Sequence, residues 1–258
     1  MFKLATPISH LFKDPTAKEE IIAASDCLEG REHTRESREA KQWLFHFDIQ
    51  IIHPWAEREK ELIGQVAARK ELKVISFHMA SVCSRPVLVN GMFQPGGENF
   101  SRQQMIDFAK QNAAWLKTIG KGLKIAVENN NHYPTPAYQD VTDVDFISQV
   151  VNDNGLNFLF DMAHAQIAAH NRGKNYEEYL AGLPMDKMIQ IHVSKHIVNE
   201  DNLAVDAHVL PDETVLKDVA EIVRRHDPEY LTIEYYKDKD DLIKLLGDYQ
   251  QLKLTLAR

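Results

Sequence analysis

Six acidic and imidazole residues of this sequence stand at or just after the ends of apolar runs. Such runs include KVISFH, LKIAVE, LNFLFD, MIQIH and LTIE. The residues at or just after these ends are His78, Glu128, Asp161, His164, His192 and Glu234, and Asp206 and His208 follow in the loop motif VDAH. A carboxylate or imidazole at the end of a buried run is costly to desolvate without a partner. The repeated placement predicts that the runs direct one set of ligands into a common site.

These side chains favour a metal site. Imidazole and carboxylate ligands together suit zinc, iron or manganese, and the lack of a cysteine pair argues against a thiolate site. Carboxylates can also bridge two ions, which allows more than one metal. An earlier ligand is expected in HFDIQIIHP, where His53 is preferred and His46 is the alternative.

Each candidate ligand also has a purely structural interpretation. Glu128 could form a structural salt bridge, and His78 could be a satisfied core histidine. Asp161 could cap a helix, and Asp206 could form an Asx turn. Cys83 is interpreted as a buried, packed thiol.

Eight strand-like runs alternate with helix-like stretches along the whole chain. The runs are continuously apolar, as expected for parallel strands covered on both faces. They are Lys3–Pro7, Cys27–Gly30, Phe45–Ile52, Lys73–His78, Leu123–Glu128, Asn157–Asp161, Met188–Val193 and Tyr230–Glu234. Eight such units in about 250 residues predict a (β/α)₈ barrel, formed as one domain over residues 1–258. A doubly wound open sheet is the alternative, but the sequence has no glycine-rich phosphate loop.

Two connections are longer than the others. Met79–Phe100 follows the fourth predicted strand, and His196–Glu213 follows the seventh. Both would lie at the C-terminal face of a barrel, where active sites are built. We interpret both as loops without secondary structure of their own, and long loops of this kind are more often functional than short ones.

Composition narrows the class of protein. The net charge of −8 makes a nucleic-acid partner unlikely, because such partners usually meet a basic surface. No apolar run approaches the ~20 residues that span a bilayer, and the N-terminus does not resemble a secretory signal. We therefore expect a cytoplasmic protein without a membrane partner.

The order of the ligands resembles the xylose-isomerase-like barrels, which include sugar isomerases, epimerases and endonuclease IV-type nucleases. A closer similarity is to the multinuclear non-haem iron oxidases, formerly a family of unknown function. The segments that carry it are VISFHMAS, VENNNHY, LFDMAHAQIAAHN, IQIHVSKH and DAHVLPDE, followed by a strand-terminal Glu234. Two positions depart from that family, which often has asparagine in place of His164 and Glu-Arg-Asp where this chain reads IEYYKD.

The resemblance implies an enzyme with two or three metal ions, iron being favoured and zinc or manganese the alternatives. Glu128 would bridge two ions, His53 and His78 would hold one, and Asp161, His164 and His192 a second. Asp206, His208 and Glu234 would complete the set, with catalytic roles assigned to Glu128, Asp161, His192 and Glu234.

The same resemblance implies oxygen-dependent oxidation of a peptide cysteine or a small thiol, with a partner protein presenting a peptide substrate. The alternatives are a metal-dependent sugar isomerase or epimerase and an endonuclease IV-like phosphodiester hydrolase.

Overall fold

The computed structural model describes residues 1–120 and 122–256, and its central feature is a closed barrel of eight parallel strands. Each strand pairs with the next along the chain, and the last pairs with the first. The strands are β1 (Lys3–Pro7), β2 (Cys27–Arg31), β3 (Gln42–Gln50), β4 (Val74–His78), β5 (Lys124–Glu128), β6 (Asn157–Asp161), β7 (Met188–Val193) and β8 (Tyr230–Ile233). The predicted (β/α)₈ barrel is confirmed.

Helices surround the barrel. The α-helices are α1 (Pro15–Ala24), α2 (Glu57–Ala67), α3 (Arg102–Ile119), α4 (Val144–Asn154), α5 (Met162–Asn171), α6 (Tyr176–Gly182), α7 (Glu213–His226) and α8 (Lys239–Leu256). Short 3₁₀ helices cover His10–Lys13, Glu32–Thr34, Pro136–Tyr138 and Met185–Lys187. Among the described residues, no helix combines the length and apolar character that crossing a membrane requires.

The barrel interior contains an apolar layer with one side chain from each strand. Its members are Ala5, Cys27, Leu44, Val74, Ala126, Leu159, Ile189 and Tyr230. Side chains of a strand alternate between its faces with a period of two. Residues two positions further along six of these strands therefore point the same way, one step closer to the C-terminal end: Glu29, His46, Ser76, Glu128, Asp161 and Thr232. The fold thus places a polar layer directly above an apolar one.

Two connections differ from the expectation. The segment 79–100 contains a two-stranded antiparallel hairpin, formed by Val87–Val89 and Met92–Gln94. A second hairpin joins Lys195–Val198 to Ala204–Val209. The prediction that these connections lack secondary structure was wrong. Backbone pairing within each connection satisfies polar groups that an irregular loop would leave to water.

Candidate metal centre

A cleft of about 700 Å³ opens at the C-terminal end of the barrel, which we call the mouth. Six of the predicted ligands line it: His78, Glu128, His164, Asp206, His208 and Glu234. Asp161 and His192 lie beneath them and are buried. The structure therefore brings together all the predicted site residues except His53.

The first candidate ion group consists of His46, His78 and Glu128. His78 Nδ1 lies 3.1 Å from Glu128 Oε2, and His46 Nε2 lies 3.4 Å from the same oxygen. The two histidines face each other, with 2.8 Å between their Nε2 atoms. Ser76 Oγ lies 2.8 Å from His46 Nδ1. This contact fixes which imidazole nitrogen of His46 faces Glu128.

The second group consists of Glu128, Asp161 and His164, so it shares Glu128 with the first. Asp161 ends β6 and caps α5, where its Oδ1 accepts a 2.7 Å hydrogen bond from the His164 amide. The first turn of α5 then places His164 Nδ1 3.8 Å from Asp161 Oδ2. The Asn129 amide brackets the Asp161 backbone, since its Nδ2 donates to the Asp161 carbonyl and its Oδ1 accepts from the Asp161 amide. Asp161 therefore caps α5, as its structural interpretation expected, but only through Oδ1. Its Oδ2 accepts no hydrogen bond from the described residues.

The third group consists of Glu29, His192 and Glu234. His192 Nε2 lies 3.1 Å from Glu29 Oε2, and its Nδ1 lies 3.2 Å from Glu234 Oε1 and 2.9 Å from Glu128 Oε1. This group differs from the other two because it already contains a charged partner. Arg31 Nη2 lies 2.6 Å from Glu29 Oε1 and also pairs with Glu234 Oε1.

The hairpin after β7 supplies the remaining predicted residues. Asp206 Oδ2 lies 3.6 Å from His164 Nε2, and Asp206 Oδ1 lies 3.3 Å from His208 Nδ1. His208 Nε2 lies 3.2 Å from Glu234 Oε2. These contacts connect the second group to the third across the cleft.

The pKa values of the buried groups reflect their crowding. Burial raises the pKa of Asp161 to about 7, and the charges of Glu128 and Glu234 add to the rise although His164 opposes it. Burial and the neighbouring His46 lower the pKa of His78 to about 4, despite the opposing effect of Glu128. Burial would also raise the pKa of Glu29, but Arg31 and His192 outweigh it and lower that pKa to about 2. The second group thus has an excess of negative charge, whereas Glu29 has a cationic partner.

Four buried carboxylate oxygens at the mouth receive no hydrogen bond from any residue that the structure describes. They are Glu29 Oε1, which lies against Arg31, and Glu128 Oε2, Asp161 Oδ2 and Asp206 Oδ1. A buried carboxylate oxygen without a donor is costly, and a cation bound there would offset this cost. The neighbouring imidazole nitrogens are ligands for the same ions. The residues present therefore fit bound metal.

His53 does not lie with this cluster. β3 ends at Gln50, and the chain then turns so that His53 Nε2 lies 2.7 Å from the Ser81 carbonyl oxygen. Its ring packs against Phe100, with 5.3 Å between ring centroids. The histidine of this segment that joins the candidate ligands is the alternative, His46.

Two residues of the site, Glu29 and Arg31, are missing from the prediction. Both lie on β2, whose sequence CLEGR carries a glutamate inside the strand. The available signal was that glutamate, because an acidic residue within a buried strand needs a partner. Arg31 and Glu234 lie far apart in sequence, so no local pattern indicates that they pair.

A parallel (β/α)₈ barrel with a cluster of histidines and carboxylates at its mouth has the architecture of the metal-dependent barrel enzymes. Residues 56–257 match the family described as RiPP precursor modification enzyme MbnB/TglH/ChrH, where RiPP denotes a ribosomally synthesised and post-translationally modified peptide. The match covers most of the chain, and the chain belongs to this family.

Curated relatives carry the name UPF0276 protein. One from Vibrio parahaemolyticus is 23% identical over 139 residues, which are 52% of this chain and 48% of that protein. One from Caulobacter sp. strain K31 is 28% identical over 173 residues, 66% of this chain and 60% of that protein. The chain therefore spans only part of the length of the curated relatives that it matches.

Solved structures share the fold. A D-tagatose 3-epimerase-like protein aligns with a TM-score of 0.64 at 15% identity and covers 99% of this chain and 98% of its own. The 3-keto-D-glucoside 4-epimerase of E. coli aligns with a TM-score of 0.62 at 12% identity, covering 98% of this chain and 100% of its own. A xylose isomerase domain protein of Salmonella typhimurium LT2 gives 0.59 at 9% identity, covering 99% and 97%. These likenesses confirm a xylose-isomerase-like barrel.

Proposed function

We propose that this chain is a multinuclear enzyme that uses iron and molecular oxygen to oxidise a cysteine-containing peptide or a small thiol. The observation that carries the proposal is Glu128, which belongs to two candidate ion groups at once. A carboxylate shared between two groups is suited to bridging two ions. Membership of a family described by RiPP precursor modification supports a peptide substrate.

The ligand set supports a redox-active metal. The three candidate groups contain only imidazole and carboxylate, a set that suits iron, zinc or manganese. Zinc has no redox chemistry, so oxidation of a thiol requires iron or manganese. When bound, iron would carry electrons from the thiol to molecular oxygen, so that oxygen is reduced as the thiol is oxidised.

Residues behind the candidate ligands hold them in place. His192 Nδ1 lies 2.9 Å from Glu128 Oε1 and restrains the shared carboxylate. Ser76 orients His46, and Asn129 fixes the backbone of Asp161. Groups that hold metal ligands in this way set their orientation and basicity. The site is therefore preorganised for ions.

The cleft supports access by a residue of a larger substrate. Its lining also includes residues of the loops after β1 and β2, among them Ser9, His10, Lys13 and His33. A cleft of about 700 Å³ is wide enough for one or two peptide residues. A partner protein that presents the peptide is part of the proposal. Full peptide turnover by the isolated chain would remove that part.

The decisive experiment compares metals and oxygen. Apo-protein is loaded separately with iron, zinc and manganese, the iron form is reduced, and oxygen uptake is measured with cysteine-containing peptides and with matched peptides carrying serine. We expect oxygen uptake and peptide modification only with iron, oxygen and cysteine together. The Glu128→Gln protein serves as the inactive control.

Other outcomes reject the oxidase. Equal turnover without oxygen, or turnover with zinc or manganese alone, would contradict it. Sugar interconversion would then indicate an isomerase or epimerase, and cleavage of DNA at abasic sites would indicate a hydrolase.

A further inference from the structure

A buried arginine lies among the carboxylates of the third candidate group. The Arg31 side chain is only 13% exposed and pairs with both Glu29 and Glu234. These two carboxylates and His192 are the residues that would otherwise bind an ion. A cation that belongs to the chain therefore already occupies the charge environment of this group.

The partners of the carboxylate oxygens differ between the groups. Glu29 Oε2 accepts a 2.5 Å hydrogen bond from Gln190, and Glu29 Oε1, although it accepts no hydrogen bond, lies 2.6 Å from the Arg31 guanidinium. In contrast, Glu128 Oε2 and Asp161 Oδ2 accept no hydrogen bond from the described part of the chain and have only imidazole nitrogens nearby, at 3.1 and 3.8 Å.

Glu234 is provided for in the same way. Its Oε1 pairs with Arg31, and its Oε2 lies 3.2 Å from His208 Nε2. Neither the first nor the second group contains an arginine or a lysine.

A divalent ion in the third group would lie beside the buried Arg31 guanidinium, which already pairs with Glu29 and Glu234. Like charges this close together repel strongly.

We infer that Arg31 is the resident cation of the Glu29–His192–Glu234 group, and that this chain therefore binds two metal ions, one in each group that shares Glu128. The inference rests on the proposed function only in requiring metal at the mouth. It does not depend on iron, oxygen or a thiol substrate. Arg31 is a positioning residue, because it holds two carboxylates away from the ions.

The test counts ions rather than activity. Apo-protein is loaded with zinc, excess metal is removed by gel filtration, and zinc per chain is measured by elemental mass spectrometry. We expect about two ions for wild type and for Arg31→Lys, and about one more for Arg31→Met, in which the opened group gains a divalent ion. Arg35→Met, at an exposed arginine four residues along, is the matched control and should leave the count unchanged.

A second substitution tests where the extra ion binds. Glu29→Gln added to Arg31→Met should return the count to about two, because the opened group loses a ligand. Glu29→Gln alone should keep the wild-type count, since Arg31 and not an ion neutralises this residue. A purely structural role for Arg31 predicts no gain of metal in any variant.

Several results would overturn the inference. Three ions in wild type would do so whether or not Arg31→Met folds, and would leave the proposed function intact. An Arg31→Met protein that is folded by circular dichroism and still binds two ions would also overturn it, as would a fall in the count for Glu29→Gln alone. A wild type that binds no zinc, iron or manganese would instead reject the proposed function, and this inference with it.

Discussion

Replacing Glu128 by glutamine should empty two ion groups at once while leaving the barrel folded. Glutamine has nearly the shape of glutamate, so the 2%-exposed side chain leaves no cavity. The substitution removes the negative charge that the first and second groups share. Asp161→Asn affects the second group and is expected to reduce metal binding less. If Glu128 is shared by two groups, Glu128→Gln should lose more bound metal than Asp161→Asn.

The size of the effect follows from linkage. An ion present at 100 times its dissociation constant stabilises the folded state by about 2.7 kcal/mol. For a chain of this size that corresponds to roughly 5–10 °C in Tm for each ion. Metal should therefore raise the Tm of wild type by about twice this amount, that of Asp161→Asn by about half the wild-type gain, and that of Glu128→Gln by little.

Without metal, the Tm values of the variants should follow a different order. The charge of Glu128 raises the pKa of Asp161, so the two carboxylates repel each other in the absence of ions. Removing that charge relieves the repulsion, although Glu128 also loses its contacts with His78 and His192. We expect the metal-free Tm of Glu128→Gln to lie within a few degrees of wild type, since the two effects oppose each other.

The assay combines differential scanning fluorimetry, with chelator and with added zinc, and elemental analysis of the loaded proteins. Glu57→Gln, at an exposed position in the first turn of α2, is the matched control. Wild-type metal content in the Glu128→Gln protein would refute the assignment of Glu128 as a shared ligand. A metal-dependent gain in Tm equal to that of wild type would refute it equally.

Three further predictions concern residues around the site and the fold. His46→Ala should lose about one ion per chain whereas His53→Gln should keep the wild-type count, since only His46 lies with the candidate ligands; equal loss in elemental analysis would contradict this. Cys83→Ser should keep turnover within about a few-fold, because serine preserves the buried hydrogen bond of the thiol; loss of oxygen uptake with metal retained would show that the thiol reacts. Lys253→Met should lower the free energy of unfolding by about 1 kcal/mol at pH 7, because Lys253 Nζ lies 2.5 Å from Asp26 Oδ2. Although burial opposes it, that contact lowers the pKa of Asp26 below the model-compound value of 3.8; the difference in urea denaturation should therefore shrink as the pH falls below about 4, and a difference that persists in acid would contradict the pairing.

The barrel could be predicted because its strands are covered on both faces. Continuous apolar runs of the length seen in β4 to β8 have few alternatives to buried parallel strands. Closure of the barrel then brings the strand ends together, which is why Glu128, Asp161 and His192 meet although they are far apart in sequence. Their roles as metal ligands stay a prediction.

The early histidine was harder to choose because apolar residues continue from β3 into the turn that follows it, at Ile51 and Ile52. The segment HFDIQIIHP continues past the last strand residue, Gln50, so the pattern does not show where the strand ends. His46 lies two residues beyond Leu44 of the apolar layer, and the period of two directs both side chains inward. His53 lies outside the strand, where this periodicity no longer applies.

The hairpins and the Arg31 pairing depend on contacts that no local pattern contains. Val87–Val89 is exposed on all three side chains, so neither burial nor alternation distinguishes it from a loop. Arg31 meets Glu234 only because the ends of β2 and of β8 both reach the mouth of the closed barrel. Such pairings follow from the three-dimensional fold and are therefore inaccessible before the barrel is known.

The two inner layers of the barrel make opposite contributions to stability. The apolar layer at Cys27, Leu44 and Ala126 is buried on every strand and favours folding. Two residues further along the same strands lie Glu29, His46 and Glu128. They are equally buried and carry groups that are costly to desolvate. This cost is reduced only where a positive charge lies close by. Arg31 supplies such a charge beside Glu29, whereas Glu128 Oε2 and Asp161 Oδ2 accept no hydrogen bond from the described residues. We therefore expect bound cations to offset this cost at the first and second groups.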